Sequence, residues 1–211
     1  MPFDPPPAPW RSEIDALLWW HRPAAPDAGA APDAPAAVPE SLRGWRALPV
    51  AVGGLVAYRS GPVGPYAEVF AGRLLLRAGP PHAHVAFMAV DSEASIAGGR
   101  ANWALPKEAA RFDGAPGRPG RVRASGDGWA IAVEAAARGP RLPAWAALPC
   151  VQVWPDGRAR AFCVRIRGTA CLAEARVARE PPSAPAGGPT AGRHLAVLVS
   201  GRQTVTPARP G

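Results

Sequence analysis

The residue best suited to covalent chemistry in this chain is Lys107, because it is the only lysine. The chain has 24 lysine and arginine residues together, so every other basic residue of these two types is an arginine. An arginine guanidinium stays protonated in proteins, whereas a buried lysine amine can lose its proton and attack a carbonyl carbon. The solitary lysine therefore indicates Schiff-base chemistry, although a codon composition that favours arginine would also leave one lysine by chance.

The segment before Lys107 is predicted to contain a buried strand and a short helix. Residues 84–90 are largely apolar on both alternating faces, which is typical of a covered central strand. Asp91 or Ser92 can cap a helix that runs through Ala97. Gly98-Gly99 is expected to end that helix.

Lys107 itself is predicted to begin a second strand. Pro106 disfavours a helical conformation at Leu105, so that residue is expected to be extended. Side chains alternate along the strand that follows, so Lys107 and Glu108 are expected to point to opposite faces.

The rest of the chain consists of short apolar segments separated by glycine and proline. A bulged or bent strand is predicted over residues 48–58, because Gly53-Gly54 lies within it. Glu68 stands out in the strand predicted over residues 66–76, because a charged residue is unusual among small and apolar neighbours. The other predicted strands comprise residues 14–20, 121–125, 129–136, 151–154, 158–167, 170–178 and 194–199, with hairpin turns at residues 126–128 and 155–157.

The composition predicts one mainly β domain that spans residues 1–211. This length suits a single domain with a substantial core, and 48% hydrophobic residues are typical of globular proteins. The 23 glycines and 28 prolines leave little room for long helices. Proline- and alanine-rich stretches at about residues 23–39 and 180–192 lack periodicity and are predicted to be loops.

Several partners and sites are not expected. The net charge of +8 permits phosphate binding, but the arginines are spread along the chain without a basic run, so we expect no nucleic-acid partner. No signal-peptide pattern or membrane-length apolar stretch is present, so we expect a cytoplasmic protein with no membrane partner. Cys150, Cys163 and Cys171 lack metal-ligand spacing and are expected to be reduced core residues; His82 and His84 lack a third ligand. Neither a metal nor a cofactor is therefore expected.

Three segments together resemble the acetoacetate decarboxylase family. They are residues 64–68 (Gly-Pro-Tyr-Ala-Glu), the apolar strand at residues 84–90, and residues 95–107, which contain Gly-Gly-Arg and end in Pro-Lys. Their order and spacing match that family as well as their residue types do. The resemblance is strong over about residues 60–113 and weaker through residue 178. It implies a β-rich α+β fold, a mostly antiparallel β-barrel or cone with few short helices.

The resemblance also implies an activity. In that family a lysine after a proline forms a Schiff base with a β-keto acid, and the protonated imine accepts the electrons released when carbon dioxide leaves. Lys107 occupies that position, which implies a lyase acting on a small β-keto acid without a cofactor, and a possible homo-oligomer. The alternatives are an aldolase or dehydratase type of relative, or a non-catalytic protein that binds a small keto acid in the same pocket.

Three further side chains are implied as site residues. Glu68 matches a glutamate in the family's active site and is the candidate for proton transfer or substrate positioning; the alternative is an ion-paired strand carboxylate. Arg100 has the geometry to hold a substrate carboxylate with two hydrogen bonds, or it braces its own loop. Trp103 is the candidate for keeping water from the amine and lowering its pKa, or it packs in the core.

The sequence departs from the family pattern at three positions. Glu108 stands where the decarboxylases carry a second lysine, and a carboxylate close to an amine raises its pKa. Ala101 stands where they carry a glutamate after the Gly-Arg pair. Arg11 is the nearest candidate for the family's N-terminal arginine. Activation of Lys107 is therefore expected to depend on burial.

Overall fold

The computed structural model describes residues 4–23, 38–180 and 187–210, which form a mainly β structure. Twelve strands, one α-helix and one 3-10 helix lie within these ranges. Of the loops predicted at about residues 23–39 and 180–192, residues 24–37 and 181–186 lie outside the described residues. No helix in the described ranges combines the length and the hydropathy of a membrane span.

The elements have the following bounds in chain order. The strands are β1 (Trp10–His21), β2 (Arg46–Ser60), β3 (Tyr66–Leu76), β4 (His82–Val90), β5 (Lys107–Ala109), β6 (Arg111–Asp113), β7 (Gly120–Gly126), β8 (Trp129–Ala137), β9 (Leu142–Val153), β10 (Ala159–Glu180), β11 (Gly192–Val205) and β12 (Arg209–Pro210). The α-helix is α1 (Glu93–Trp103), and the 3-10 helix is Glu40–Leu42.

Seven strands form a barrel-like ring. Their order is β11-β1-β2-β3-β4-β9-β10, and β10 pairs back with β11 over 14 successive residues of each strand. Most neighbours are antiparallel, but β4 has two parallel neighbours: β5, and β9 through the single pair Ala83 and Cys150. The mainly β, barrel-like fold class predicted from the sequence is confirmed.

The ring separates an apolar core from an interior cavity. The second half of β10 pairs with β8, and β7 and β6 continue this second layer. Because side chains alternate along β1, Leu17 and Trp19 pack against Ile131 of β8 in the core between the layers. Ile14 and Ala16 face the interior of the ring instead. The interior is where the candidate site lies.

The glycine pair of β2 makes room for aromatic rings. Its pairing with β3 is regular at Gly53 and Gly54, and the register shift falls before Ala51. A Cβ atom at Gly53 would overlap the ring of Trp19, and one at Gly54 would overlap the ring of Phe70. The bulge predicted at these glycines was therefore misplaced, because side-chain packing rather than a backbone irregularity requires them.

Helix α1 begins as predicted but ends later. The Ser92 Oγ accepts a hydrogen bond from the first turn and caps the helix. The helix continues through Gly98 and Gly99 and ends before Ala104, which adopts a left-handed conformation at φ 50°. The prediction that the glycines end the helix was wrong. A Cβ atom at Gly98 would overlap the ring of Trp10, so the helix needs glycine there for close packing.

Strand β10 joins two segments that the sequence predicted to be separate. The break expected near Gly168 is absent, because Gly168 stays in register with Gly201 of β11. A Cβ atom at Gly168 would overlap the backbone of Ser200, so the close approach of two strands explains the glycine. Both predicted hairpins are confirmed, with β7 and β8 joined at residues 127–128 and β9 and β10 joined at residues 154–158.

Candidate active site

Lys107 is a buried side chain at the first position of β5, with only 3% of its surface exposed. It lies opposite Met88 of the parallel strand β4. Its aliphatic stem passes over Gly99 of α1, where an added Cβ atom would lie 2.7 Å from both Cδ and Cε. Gly99 therefore leaves the space through which the lysine reaches the interior of the ring.

The Lys107 amine has two polar partners from two other elements. Its Nζ atom donates to Glu68 Oε2 at 2.8 Å and to Ser95 Oγ at 2.8 Å. Glu68 lies on β3, and Ser95 lies in the first turn of α1. Both residues are almost fully buried, so the amine and the carboxylate form an ion pair out of contact with bulk water.

A chain of hydrogen bonds extends from the other carboxylate oxygen. The Tyr58 hydroxyl donates to Glu68 Oε1 at 3.2 Å, and Gln203 Nε2 donates to the same hydroxyl at 3.3 Å. The Tyr58 ring stacks on Tyr66 with the ring centres 4.1 Å apart, and the Lys107 Nζ lies 5.1 Å from the centre of the Tyr66 ring. Four strands and one helix thus fix the position of one ion pair.

The charge on the amine is set by two opposing effects. Burial lowers the pKa of Lys107, but the Glu68 carboxylate beside it raises that pKa, as does Tyr66, and the net shift is upward. Burial also raises the pKa of Tyr66 and raises that of Tyr58 well above its usual value, with Glu68 adding to both shifts. In the resting site the amine is therefore a protonated ammonium paired with a carboxylate, and both phenols are neutral.

A cavity of about 320 Å³ fills the interior of the ring beside this pair. Apolar side chains from all seven ring strands form most of its wall. Among the described residues that line it, only Lys107 and Glu68 carry a charge. Its uncharged hydroxyl and amide groups come from Ser12, Tyr58, Tyr66 and Gln203.

The two other predicted site residues, Trp103 and Arg100, differ in whether they line the cavity. Trp103 lines the cavity, donates from Nε1 to the Thr206 carbonyl at 2.8 Å and packs edge-on against Trp10. Arg100 is exposed and lies outside the cavity lining. Its guanidinium donates to the Lys107 carbonyl oxygen, with Nε at 3.0 Å, which corresponds to the alternative in which it braces the loop. Substrate contacts for both residues stay predictions.

None of the three residues at which the sequence departs from the family pattern lines the cavity. Glu108 accepts a hydrogen bond from Trp129 Nε1 at 2.8 Å, on the opposite side of β5 from the cavity. Ala101 and Arg11 are exposed and do not line the cavity. The carboxylate that raises the pKa of the amine is Glu68.

Three of the partners in the hydrogen-bond chain were missed by sequence reasoning. Ser95 lies within the segment that carries the resemblance, and Tyr58 lies within a predicted strand, but neither residue type signals a lysine partner by itself. Gln203 lies beyond the predicted end of its strand at residue 199. Its proximity to Tyr58 depends on the ring being closed by β1, which pairs with both β2 and β11.

The other polar clusters do not suggest a metal site. Within the described ranges no group of three or more histidine, cysteine, aspartate and glutamate residues is arranged to hold an ion. The three cysteines are free thiols. His84 is buried and hydrogen-bonded to the Val151 carbonyl at 3.1 Å, whereas the imidazole of His82 packs edge-on against Trp45.

The chain was compared with known proteins. No family model and no curated protein sequence matches it. Among solved structures, acetoacetate decarboxylase from Legionella pneumophila has a TM-score of 0.60 at 15% identity, over 100% of this chain and 92% of that chain. The enduracididine biosynthesis enzyme MppR complexed with pyruvate has a TM-score of 0.65 at 14% identity, over 97% and 91%. An acetoacetate decarboxylase-like enzyme from Sphingomonas wittichii RW1 has a TM-score of 0.62 at 15% identity, over 97% and 93%. The chain therefore has the acetoacetate decarboxylase-like fold.

Proposed function

We propose that this protein is a Schiff-base-forming lyase that acts on a β-keto acid through Lys107. The observation that carries the proposal is the buried ion pair of the only lysine amine with Glu68, 2.8 Å apart beside an apolar cavity. Burial, and an adjacent base that can take the proton, are two of the ways in which a nucleophile is activated. The shared fold with keto-acid enzymes supports this reading.

The first steps convert the ammonium into a nucleophile. A ligand that enters the cavity displaces water, and loss of water favours the uncharged forms of a buried acid and base. The Lys107 proton then moves to Glu68 Oε2, along an existing hydrogen bond. The neutral amine adds to the ketone carbon. The resulting hydroxyl group takes the proton back from Glu68 and leaves as water, which gives a protonated imine and the Glu68 carboxylate.

The remaining steps release carbon dioxide and regenerate the amine. The bond between the α-carbon and the carboxylate breaks, and its electron pair moves through the new carbon–carbon double bond to the imine nitrogen, giving an enamine. A proton taken up from solvent through Glu68 is added to the α-carbon, and water hydrolyses the protonated imine to a ketone and the Lys107 ammonium. Tyr58 and Ser95 hold the carboxylate and the amine in place during these transfers.

A second candidate function shares the pocket without decarboxylation. The raised pKa of Lys107 favours a charged amine, which binds a carboxylate as an ion without condensing with a carbonyl. A non-catalytic keto-acid-binding protein would use the site in that way. An aldolase or dehydratase would form the same imine but direct the enamine to a different electrophile.

The test is reduction of the imine with borohydride in the presence of acetoacetate, followed by peptide mass spectrometry. Because the chain has one lysine, the amino terminus is the only competing amine. Decarboxylation predicts an isopropyl group on Lys107, whereas imine formation without decarboxylation predicts an adduct that keeps the carboxyl group. The Lys107→Arg variant serves as the control. If no adduct forms on Lys107 with acetoacetate or a longer keto acid, the protein is not a Schiff-base enzyme.

A further inference from the structure

The cavity continues from the ion pair along β3 as an apolar channel. Glu68, Phe70, Gly72 and Leu74 alternate along this strand and all line the cavity. At a rise of about 3.3 Å per residue, Leu74 lies roughly 20 Å along the strand from Glu68. No polar side chain of β3 enters the lining beyond Glu68. A ligand whose reacting carbon lies at Lys107 would thus have apolar side chains along the rest of its length.

The neighbouring strands β4 and β9 continue the apolar wall beside Leu74. Leu74 pairs with Ala83 of β4, and Ala83 bridges to Cys150 of β9. These residues, together with Val85 and Phe162, belong to one apolar cluster around this part of the cavity. Phe70 and Leu74 are only half-buried although they face the interior, because the space in front of them is not filled by other side chains.

This channel contains no group that could neutralise a second charge. Lys107 is the only cation among the described lining residues, and it lies at the end of the cavity where the carboxylate of the keto acid itself would bind. A ligand with a carboxylate at its far end would leave that carboxylate desolvated and unpaired, which is strongly unfavourable. A ligand with an apolar far end gains from burial instead.

The volume sets the size of the apolar group. About 320 Å³ corresponds to roughly ten non-hydrogen atoms, at about 30 Å³ for each water-sized group. Acetoacetate would leave much of the space empty. A β-keto acid with a chain of about eight carbons would fill it, with its ketone carbon at the amine and its alkyl chain along β3.

We propose that the substrate of this site is a medium-chain or aryl β-keto acid with an uncharged apolar tail, and that the cavity selects against both acetoacetate and dicarboxylic keto acids. This inference rests on the proposed imine chemistry. The reaction is the one given above: 3-oxooctanoate would lose carbon dioxide and be released as 2-heptanone. The tail takes no part in the chemistry and contributes binding alone.

The test compares three keto acids as substrates for borohydride trapping on Lys107. They are acetoacetate, 3-oxooctanoate and 3-oxooctanedioate, the last of which differs from the second only in a carboxylate in place of the terminal methyl group. Each buried methylene is worth about a fourfold gain, so the four extra carbons of 3-oxooctanoate should raise the second-order trapping rate on the order of 100-fold. The dicarboxylate should be trapped no faster than acetoacetate.

A variant that shortens the channel provides a second measurement. Phe70→Trp places a larger side chain two residues from Glu68 along β3, where the alkyl chain of 3-oxooctanoate would lie. It should lower the rate ratio of 3-oxooctanoate to acetoacetate by about tenfold or more. Leu195→Trp is the matched control, because Leu195 is 66% exposed on β11 and lies outside the lining. It should leave the ratio unchanged. The three-ligand comparison on the unaltered protein decides the question even if Phe70→Trp does not fold.

The outcomes separate the two proposals. If acetoacetate or the dicarboxylate is trapped as fast as 3-oxooctanoate, the inference about the tail is wrong while the imine chemistry stands. If none of the three forms an adduct, the proposed function fails. Calorimetric binding of 2-heptanone and acetone then decides the channel's preference: tighter binding of 2-heptanone supports the apolar channel, and equal or undetectable binding of both overturns it.

Discussion

Replacing Glu68 with glutamine is expected to reverse the direction in which the pKa of Lys107 is shifted. Burial is the largest single influence and lowers that pKa in the native protein, but the Glu68 carboxylate and Tyr66 together raise it further than burial lowers it. Glutamine has nearly the same size and can still accept the hydrogen bond of the amine, but it carries no charge. Burial is then the main influence, so the pKa of Lys107 should fall from above its ordinary value to below it.

The same substitution should lower the free energy of unfolding at neutral pH by about 3–5 kcal/mol, the typical cost of removing one partner from a buried ion pair. Lys107 and Glu68 have side chains only 3% and 4% exposed, so solvent screens their interaction little. At an effective dielectric constant of about 20, unit charges about 4 Å apart interact by about 4 kcal/mol, which agrees with that range.

The lost free energy of unfolding should depend on pH, because the folded-state pKa of Lys107 is raised in the native protein and lowered in Glu68→Gln. In the native protein the folded pKa of Lys107 is raised, so its contribution to stability is fully present below the unfolded pKa of about 10.4 and is lost as the pH rises through the folded pKa. In Glu68→Gln the folded pKa is lowered, so the unfolded state binds more protons and stability rises with pH. Between about pH 7 and 9.5 the stability difference between the two proteins should therefore shrink.

The single lysine makes the measurement direct. Lysine labelled with carbon-13 at Cε gives one lysine side-chain signal in the NMR spectrum, and its titration reports the pKa of Lys107. Urea unfolding at pH 7 and 9.5 reports the stability difference. Glu108→Gln is the matched control, because that carboxylate faces Trp129 on the other side of β5. An unchanged titration in Glu68→Gln, or a stability difference that grows with pH, would show that Glu68 does not set the charge of the amine.

Three other substitutions test the construction of the site. Gly99→Ala should displace the Lys107 stem and slow imine trapping by roughly 10- to 100-fold, whereas Gly139→Ala, where an added Cβ atom has no neighbour within 4 Å, should have no effect on trapping. Ser95→Ala removes one of the two acceptors of the amine and should lower the free energy of unfolding in urea by about 1 kcal/mol. If Arg100 only braces the Lys107 carbonyl, Arg100→Ala should slow the trapping of keto acids and of uncharged ketones by the same factor. A loss for keto acids alone would instead show that Arg100 contacts the substrate carboxylate.

Both residues of the central ion pair could be singled out from the sequence, because each of them is unusual by itself. Lys107 is a lone amine after a proline, and Glu68 is a charge within an apolar strand, so both stood out before any contact was known. Alternation along β5 also predicted correctly that Glu108 faces away from Lys107. These inferences depend on local periodicity, which a single sequence displays directly.

The interpretation of the glycines failed for one physical reason. Gly53, Gly98 and Gly168 were assigned to a bulge, a helix end and a strand break, which are the local backbone uses of glycine. In the structure each of them admits a neighbour from a distant segment: the ring of Trp19, the ring of Trp10 or the backbone of β11. Such contacts depend on the tertiary fold, so no local rule could identify them.

The ion pair explains how an apolar cavity can contain an amine whose resting form is charged. An isolated ammonium would be very unfavourable in these surroundings, but the Lys107 and Glu68 pair has no net charge. In the proposed reaction, moving the shared proton to Glu68 leaves the net charge at zero, so the site would pass from the resting to the nucleophilic form without gaining or losing a charge. A second lysine beside Lys107 would lower its pKa by repulsion but would add a positive charge to the site.

With Glu108 turned away from the cavity, activation instead depends on how fully the ligand displaces water around the pair. An apolar tail that fills the channel would therefore increase the reactivity of the amine as well as the affinity of the ligand.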